Sequence, residues 1–206
     1  MAFSKYKEIG QVQQEFGIRV QAGDFIPAET VEPSESFVRR FKLTIEITPI
    51  FSEGSRTQTV ISPILQEVYQ NYHESLTLWI ERTLTYDAKL SGTPDYLLAA
   101  KSPLGKSVFT KPLVAMMEAK KNDFDYGWAQ CLAELVAAQK INGDDSFALY
   151  GIVTDGVTWQ FGKLEKDFFT QNTLSYATGD LPRLFGALHF VFRTIQTALA
   201  TSPLRP

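Results

Sequence analysis

The sequence has few of the residues that bind soft metals or cross-link a secreted scaffold. It contains one cysteine, Cys131, and two histidines, His73 and His189, among 206 residues. One cysteine cannot form an intrachain disulfide, which suits a reducing compartment. A structural zinc site of the usual thiolate type is excluded, because it needs more cysteine and histidine ligands than the chain contains.

Long apolar runs and a targeting segment are also lacking. No stretch approaches the roughly 18 apolar residues of a membrane span, and no positively charged start leads into an apolar signal segment. We therefore expect a soluble, cytoplasmic protein without a membrane partner. Hydrophobic residues make up 44% of the chain and charged residues 21%, as in ordinary folded globular proteins.

The chain has no excess of positive charge. Its net charge is -3, so binding to nucleic acid would require a local basic patch. The segment 101–121 is a candidate, with one acid among several lysines. Those lysines are Lys101, Lys106, Lys111, Lys120 and Lys121. A solvated surface loop is the alternative interpretation of this segment.

Apolar periodicity predicts four helices, near 7–16 and over 54–72, 125–140 and 181–200. In the second of these, Pro63 predicts either a kink or a new helix that begins there, because an interior proline removes a backbone hydrogen bond.

The segment from Phe37 to Thr48 is ambiguous. A preceding serine cap and the apolar spacing favour a helix, whereas the β-branched run from Thr44 to Thr48 favours a strand. We expect a helix over the first half.

Alternating and continuous apolar runs predict five strands, over 76–85, 93–99, 112–120, 147–154 and 157–164. Helices and strands in this order predict an α/β fold with a mixed β-sheet core flanked by helices. We expect this core to span 55–206 and to include the C-terminal helix. Residues 1–54 would form a helical or irregular N-terminal extension.

The candidate chemistry depends on Asp95, Glu118 and Lys120. Glu118 and Lys120 are two positions apart on a predicted strand and therefore share a face. Asp95 lies on the neighbouring predicted strand. Two adjacent carboxylates repel each other, and a hard divalent cation such as Mg²⁺ or Mn²⁺ relieves that repulsion. A buried structural salt-bridge cluster is the alternative.

The segments that carry these residues resemble the PD-(D/E)XK signature of restriction-endonuclease-like nucleases. The first is Gly92-Thr93-Pro94-Asp95, and the second is Glu118-Ala119-Lys120 after an apolar strand. A helical segment over 127–134 resembles an additional motif of many branches. The region 55–165 is similar to uncharacterised bacterial predicted nucleases, and the resemblance implies a restriction-endonuclease-like mixed sheet.

The resemblance also implies a metal site. Asp95 and Glu118 would bind Mg²⁺ or Mn²⁺, and the backbone carbonyl of Ala119 would be a third ligand. Glu67 would be an accessory ligand, directly or through water, with Glu74 as the rival acid.

Two further roles follow from the resemblance. Lys120 would be the catalytic lysine, and Gln130 would orient a phosphate or the attacking water. Gln130 could instead only hydrogen-bond a nearby carbonyl, and Glu134 one turn later could be a solvated or structural partner.

The function implied is hydrolysis of phosphodiester bonds in DNA, or less favourably in RNA. A nuclease fold that binds nucleic acid or protein without catalysis is the main alternative, because fold does not fix function. A third hypothesis is an assembly protein, in which the apolar face of 181–200 makes a homodimer.

Overall fold

The fold is a mixed α/β arrangement of one large sheet with helices packed against it. The computed structural model describes residues 2–120, 123–145 and 147–201. The α-helices are α1 Ile9–Phe16, α2 Glu35–Ile47, α3 Glu53–Arg56, α4 Ser62–Tyr69, α5 Phe124–Asn142 and α6 Leu181–Thr201. The strands are β1 Arg19–Ala22, β2 Leu76–Ile80, β3 Leu84–Thr85, β4 Ser91–Gly92, β5 Tyr96–Ala100, β6 Leu113–Ala119, β7 Leu149–Thr154, β8 Thr158–Glu165, β9 Phe168–Gln171 and β10 Tyr176–Ala177.

The large sheet has the strand order β1-β9-β8-β7-β6-β5-β2, and β10 pairs with β8. The pairs β1/β9 and β6/β7 are parallel, and the other pairs in the sheet are antiparallel. Every residue of the central strand β6 is buried, as a continuous apolar run requires. The predicted mixed β-sheet flanked by helices is confirmed.

The ambiguous segment after Phe37 is helical throughout, as α2. The Ser34 hydroxyl accepts a hydrogen bond from the Phe37 amide at 3.2 Å and caps the helix. The Phe37 ring lies 5.5 Å from that of Phe185 in α6. This packing overrides the β-branched run, whose Ile45 and Ile47 are exposed.

The predicted helix over 54–72 is a continuous helical segment that changes its hydrogen-bonding pattern. It begins after the Ser52 cap as α3 and contains a π-helical turn, Thr57–Ile61. Pro63 follows in the first turn of α4. The π-helical turn re-registers the backbone just before the proline, and a new helical segment begins there.

One predicted strand was too long. The strand expected over 76–85 ends at Ile80, and Glu81 has the positive backbone angle φ 50°. Leu84 then begins a separate small hairpin, β3–β4. The predicted antiparallel neighbours β2 and β5 do pair, with Ile80 opposite Tyr96.

The apolar face of α6 is buried within the chain. Leu184, Phe185, Leu188, Val191 and Phe192 are each at most 1% exposed. Because these residues pack in the chain's own core, they cannot also form the dimer surface expected from the sequence. A homodimer would need another surface. None of the helices within the described ranges is long and apolar enough to cross a membrane.

The N-terminal segment is part of the same core. Phe3, Tyr6 and Val12 are buried, and β1 extends the large sheet by pairing with β9. The boundary expected at residues 54 and 55 stays a prediction.

Candidate active site

Asp95 and Glu118 lie side by side at one end of the sheet. Tyr96 pairs with Met117 between β5 and β6, which places the two acids opposite each other at the next position. Met116 pairs with Gly151, and a Cβ on Gly151 would contact Cys131 and Leu135 of α5. Since Glu118 is two residues after Met116, its side chain faces α5 as well.

The surroundings of Asp95 disfavour the charged form of its carboxyl group. Its Oδ2 atom accepts a hydrogen bond from the Ala119 amide at 2.7 Å, which fixes the carboxylate against the end of β6. Burial, together with the charge of Glu118, raises the pKa of Asp95 to about 6. The hydrogen bond from Ala119 and the charge of Lys120 offset this only in part.

Lys120 forms an ion pair with Glu118. Its Nζ atom lies 3.0 Å from Glu118 Oε2, and the two side chains are 18% and 3% exposed. Burial acts to lower the pKa of Lys120, but the charge and hydrogen bond of Glu118 and the charge of Asp95 raise it above its ordinary value. Lys120 is therefore a cation at neutral pH and donates hydrogen bonds there.

A glycine lets α5 approach this lysine. A Cβ on Gly127 would lie 3.2 Å from Lys120 Cγ and would overlap Val153 of β7. Any larger residue would push the first turn of α5 away from the ends of β6 and β7.

Gln130 and Glu134 lie one turn apart on the buried side of α5, 8% and 1% exposed. In the described part of the chain, Gln130 Oε1 and Glu134 Oε2 have no hydrogen-bond partner. Burial, followed by the charge and the side-chain hydrogen bond of Glu118, raises the pKa of Glu134 well above its ordinary value. This environment favours the protonated form of Glu134, and the residue is buried and is not the solvated residue that the sequence allowed.

We expect Glu134→Gln to change the free energy of unfolding little at pH 7. The amide can donate to Glu118 as the protonated carboxyl does, whereas Glu134→Ala would lose that donor and leave a cavity, costing roughly 2–3 kcal/mol. Urea unfolding of both variants checks this. Equal losses in the two would contradict a hydrogen bond donated by Glu134 to Glu118.

Glu67 lies in a different environment from Asp95 and Glu118. Its Oε1 atom accepts a hydrogen bond from Ser34 Oγ at 2.6 Å, and it lines a groove of about 1070 Å³ beside α2. The rival acid, Glu74, pairs with Lys101 at 3.2 Å and with His73 at 2.8 Å. Accessory ligation by Glu67 stays a prediction that these contacts do not favour.

Another acid, Glu53, affects the site through its charge. Its charge raises the pKa values of both Asp95 and Lys120. Glu53 is the first residue of α3 and follows the Ser52 cap. The sequence signal for this acid is the Ser52 cap, which marks the start of a helix at Glu53. No pattern in the sequence predicts that this end of the helix lies near Asp95.

Most of the lysine-rich segment lies away from Lys120. Lys101, Lys106 and Lys111 are exposed, and Lys101 pairs with Glu74. Lys121 lies outside the described residues.

The donor atoms fit a hard divalent cation of low protein coordination number. The carboxylates of Asp95 and Glu118 lie on adjoining strands, and the backbone of Ala119 follows Glu118. Carboxylate and carbonyl oxygens are ligands of the type that Mg²⁺ and Mn²⁺ prefer. Over the described ranges there is no group of three or more His, Cys, Asp or Glu side chains arranged to hold a metal. Mg²⁺ commonly keeps several waters and takes one or two protein carboxylates, so a pair of acids is compatible with its coordination.

Comparisons with known proteins give little beyond the fold. No family model matches the chain, and no curated protein matches it. Nine chains of solved structures match, one of them in a cryo-EM structure of a DrdV–DNA complex. That likeness has 17% identity and a TM-score of 0.44, and it covers 77% of this chain and 13% of the other. A similarity of this size assigns no activity, and the chain corresponds to only a small part of the protein that it matches.

Proposed function

We propose that the chain is a metal-dependent nuclease of the PD-(D/E)XK type that hydrolyses phosphodiester bonds, with DNA preferred over RNA as substrate. The observation that carries the proposal is the imbalance of charge at the site. Asp95, which is partly buried, and Glu118, which is buried, are adjacent acids, and one ammonium, that of Lys120, pairs with Glu118.

This imbalance disfavours a purely structural ion-pair cluster. A buried ion pair is tolerable only when its charges are matched and hydrogen-bonded, because desolvation is costly. Here the two carboxylates face one ammonium, and burial together with the charge of Glu118 raises the pKa of Asp95. A divalent cation between the carboxylates would remove the repulsion.

Asp95 and Glu118 would hold the cation, with the Ala119 carbonyl as a possible third ligand. When bound, Mg²⁺ or Mn²⁺ supplies a water of lowered pKa and neutralises charge on the phosphate. Glu134, held protonated, would donate to Glu118 and fix the orientation of that carboxylate.

Lys120 would act as a cation throughout. Its ammonium can donate to the attacking water and to a phosphate oxygen on which negative charge increases in the transition state. Glu118 and Asp95 hold the pKa of Lys120 above its ordinary value in the metal-free protein, which favours the role of a donor over that of a general base. Gln130, with an unpartnered Oε1 among the described residues, would accept a hydrogen bond from the attacking water.

Incubation of the full chain with labelled duplex DNA, single-stranded DNA and RNA tests the proposal. We expect strand cleavage with Mg²⁺ or Mn²⁺ and none in EDTA. Nucleic-acid binding without cleavage under any divalent cation would support the inactive binding module instead.

A further inference from the structure

The N-terminal segment packs against both halves of the candidate site. Phe3 is 1% exposed, and a Cβ on Gly92 would overlap its ring. Gly92 opens the turn that leads to Asp95. The hydroxyl of Tyr126, in the first turn of α5, donates to the Ser4 carbonyl at 3.3 Å. Residues 3–7 are therefore held in place beside the site.

This packing places a second lysine beside the aromatic ring that Lys120 also approaches. The Lys7 Nζ atom lies 4.3 Å from the centroid of the Tyr126 ring, and the Lys120 Nζ atom lies 5.8 Å from the same centroid. Two ammonium groups from distant parts of the chain thus share one aromatic ring. Cation–π attraction to the ring holds each one modestly.

The charge of Lys7 is not neutralised by an acid in the part of the chain that the structure describes. Lys89, Lys101, Lys120 and Lys163 each form an ion pair with a glutamate, and Lys7 does not. Lys7 is exposed, and it differs from the other unpaired exposed lysines of the described residues in lying over Tyr126, the ring that Lys120 also approaches. The ammonium of Lys7 is therefore available to an anionic ligand.

We propose that Lys7 binds a backbone phosphate of the nucleic acid strand, next to the phosphate that Lys120 contacts, and that Tyr126 positions its ammonium. The proposal rests on the proposed function, since it names how the substrate strand is held. A phosphate contact of this kind positions the strand and carries no sequence preference.

The salt dependence of binding tests this contact. Affinity of the full chain for a fluorescent duplex oligonucleotide would be measured in EDTA, which prevents cleavage, between about 50 and 200 mM salt. Each phosphate contact contributes about 0.9 to the slope of log K against log salt. We expect Lys7→Ala to reduce the magnitude of this negative slope by about that amount. Lys7→Arg should leave the slope unchanged.

Lys5→Ala is the matched control. Lys5 is also an exposed lysine of the N-terminal segment, but its Nζ atom lies over the Tyr6 ring at 4.8 Å and its charge acts on Glu15. We expect its slope to equal that of the wild type. Wild-type binding with an unchanged slope in Lys7→Ala would overturn this inference alone, whereas a wild type that neither binds nucleic acid in EDTA nor cleaves it with Mg²⁺ or Mn²⁺ would overturn the proposed function with it.

Discussion

Lys120→Met should reduce DNA cleavage by at least about 10²-fold and leave the chain folded. Loss of one preorganised donor to a transition-state oxyanion commonly costs 10²- to 10³-fold in rate. The methionine keeps most of the aliphatic volume against Gly127, so the packing of α5 should survive. Single-turnover cleavage at saturating metal is the measurement.

Lys163→Met is the matched control for this variant. Lys163 and Glu165 form the same two-residue ion pair on a strand, at 2.7 Å, and Lys163 is 21% exposed compared with 18% for Lys120. Both substitutions break an ion pair between a largely buried lysine and a glutamate. Lys163, however, lies on β8 and not beside Asp95. Equal activity of the two variants would show that Lys120 has only a structural role.

Asp95→Asn should stabilise the metal-free protein at pH 7.5 and abolish its stabilisation by metal. A carboxyl whose folded pKa is raised, here from 3.8 to about 6, contributes fully to stability below its unfolded pKa. That contribution is lost as the pH rises through the folded value. The amide never carries this charge, and its oxygen can still accept from the Ala119 amide. We expect a gain on the order of 1–3 kcal/mol above pH 6 that disappears below about pH 4.

In the presence of metal, the wild type should gain stability and Asp95→Asn should not. A cation at 100 times its Kd stabilises the native state by about 2.7 kcal/mol, or about 5–10 °C in Tm for a chain of this size. We expect this shift with Mn²⁺ in the wild type and not in Asp95→Asn. Asp167→Asn, which removes an exposed partner of Arg19, should keep it. A metal shift that survives in Asp95→Asn would remove Asp95 from the ligand set.

The central part of the fold is predictable because its signals are local. The apolar run before Glu118 is long enough to mark a fully buried strand, and Asn142-Gly143 marks the end of α5, where Gly143 has φ 74°. Alternation along β6 places Glu118 and Lys120 on one face without any knowledge of tertiary structure. Only the pairing of β5 with β6, which brings Asp95 to them, depends on a longer-range contact.

The parts that were not predicted depend on distant segments of the chain. β1 is four residues long and pairs with β9, about 150 residues later, so its short polar sequence gives no strand signal of its own. The burial of Glu134 and the approach of Glu53 depend on how α5 and α3 dock, which periodicity does not specify. Lys7 contacts Tyr126 within an N-terminal segment whose Phe3 ring packs against Gly92, and no local sequence pattern predicts these contacts.

A crystal soaked in Mn²⁺ tests the central claim most directly, because the anomalous signal locates the ion without reference to activity. We expect a peak within ligand distance of both the Asp95 and Glu118 carboxylates, at about 2.0–2.2 Å. A map with no peak there, or with a peak only at other acids such as Glu67 and Glu74, would contradict the proposed metal site and leave the two adjacent carboxylates without a catalytic explanation.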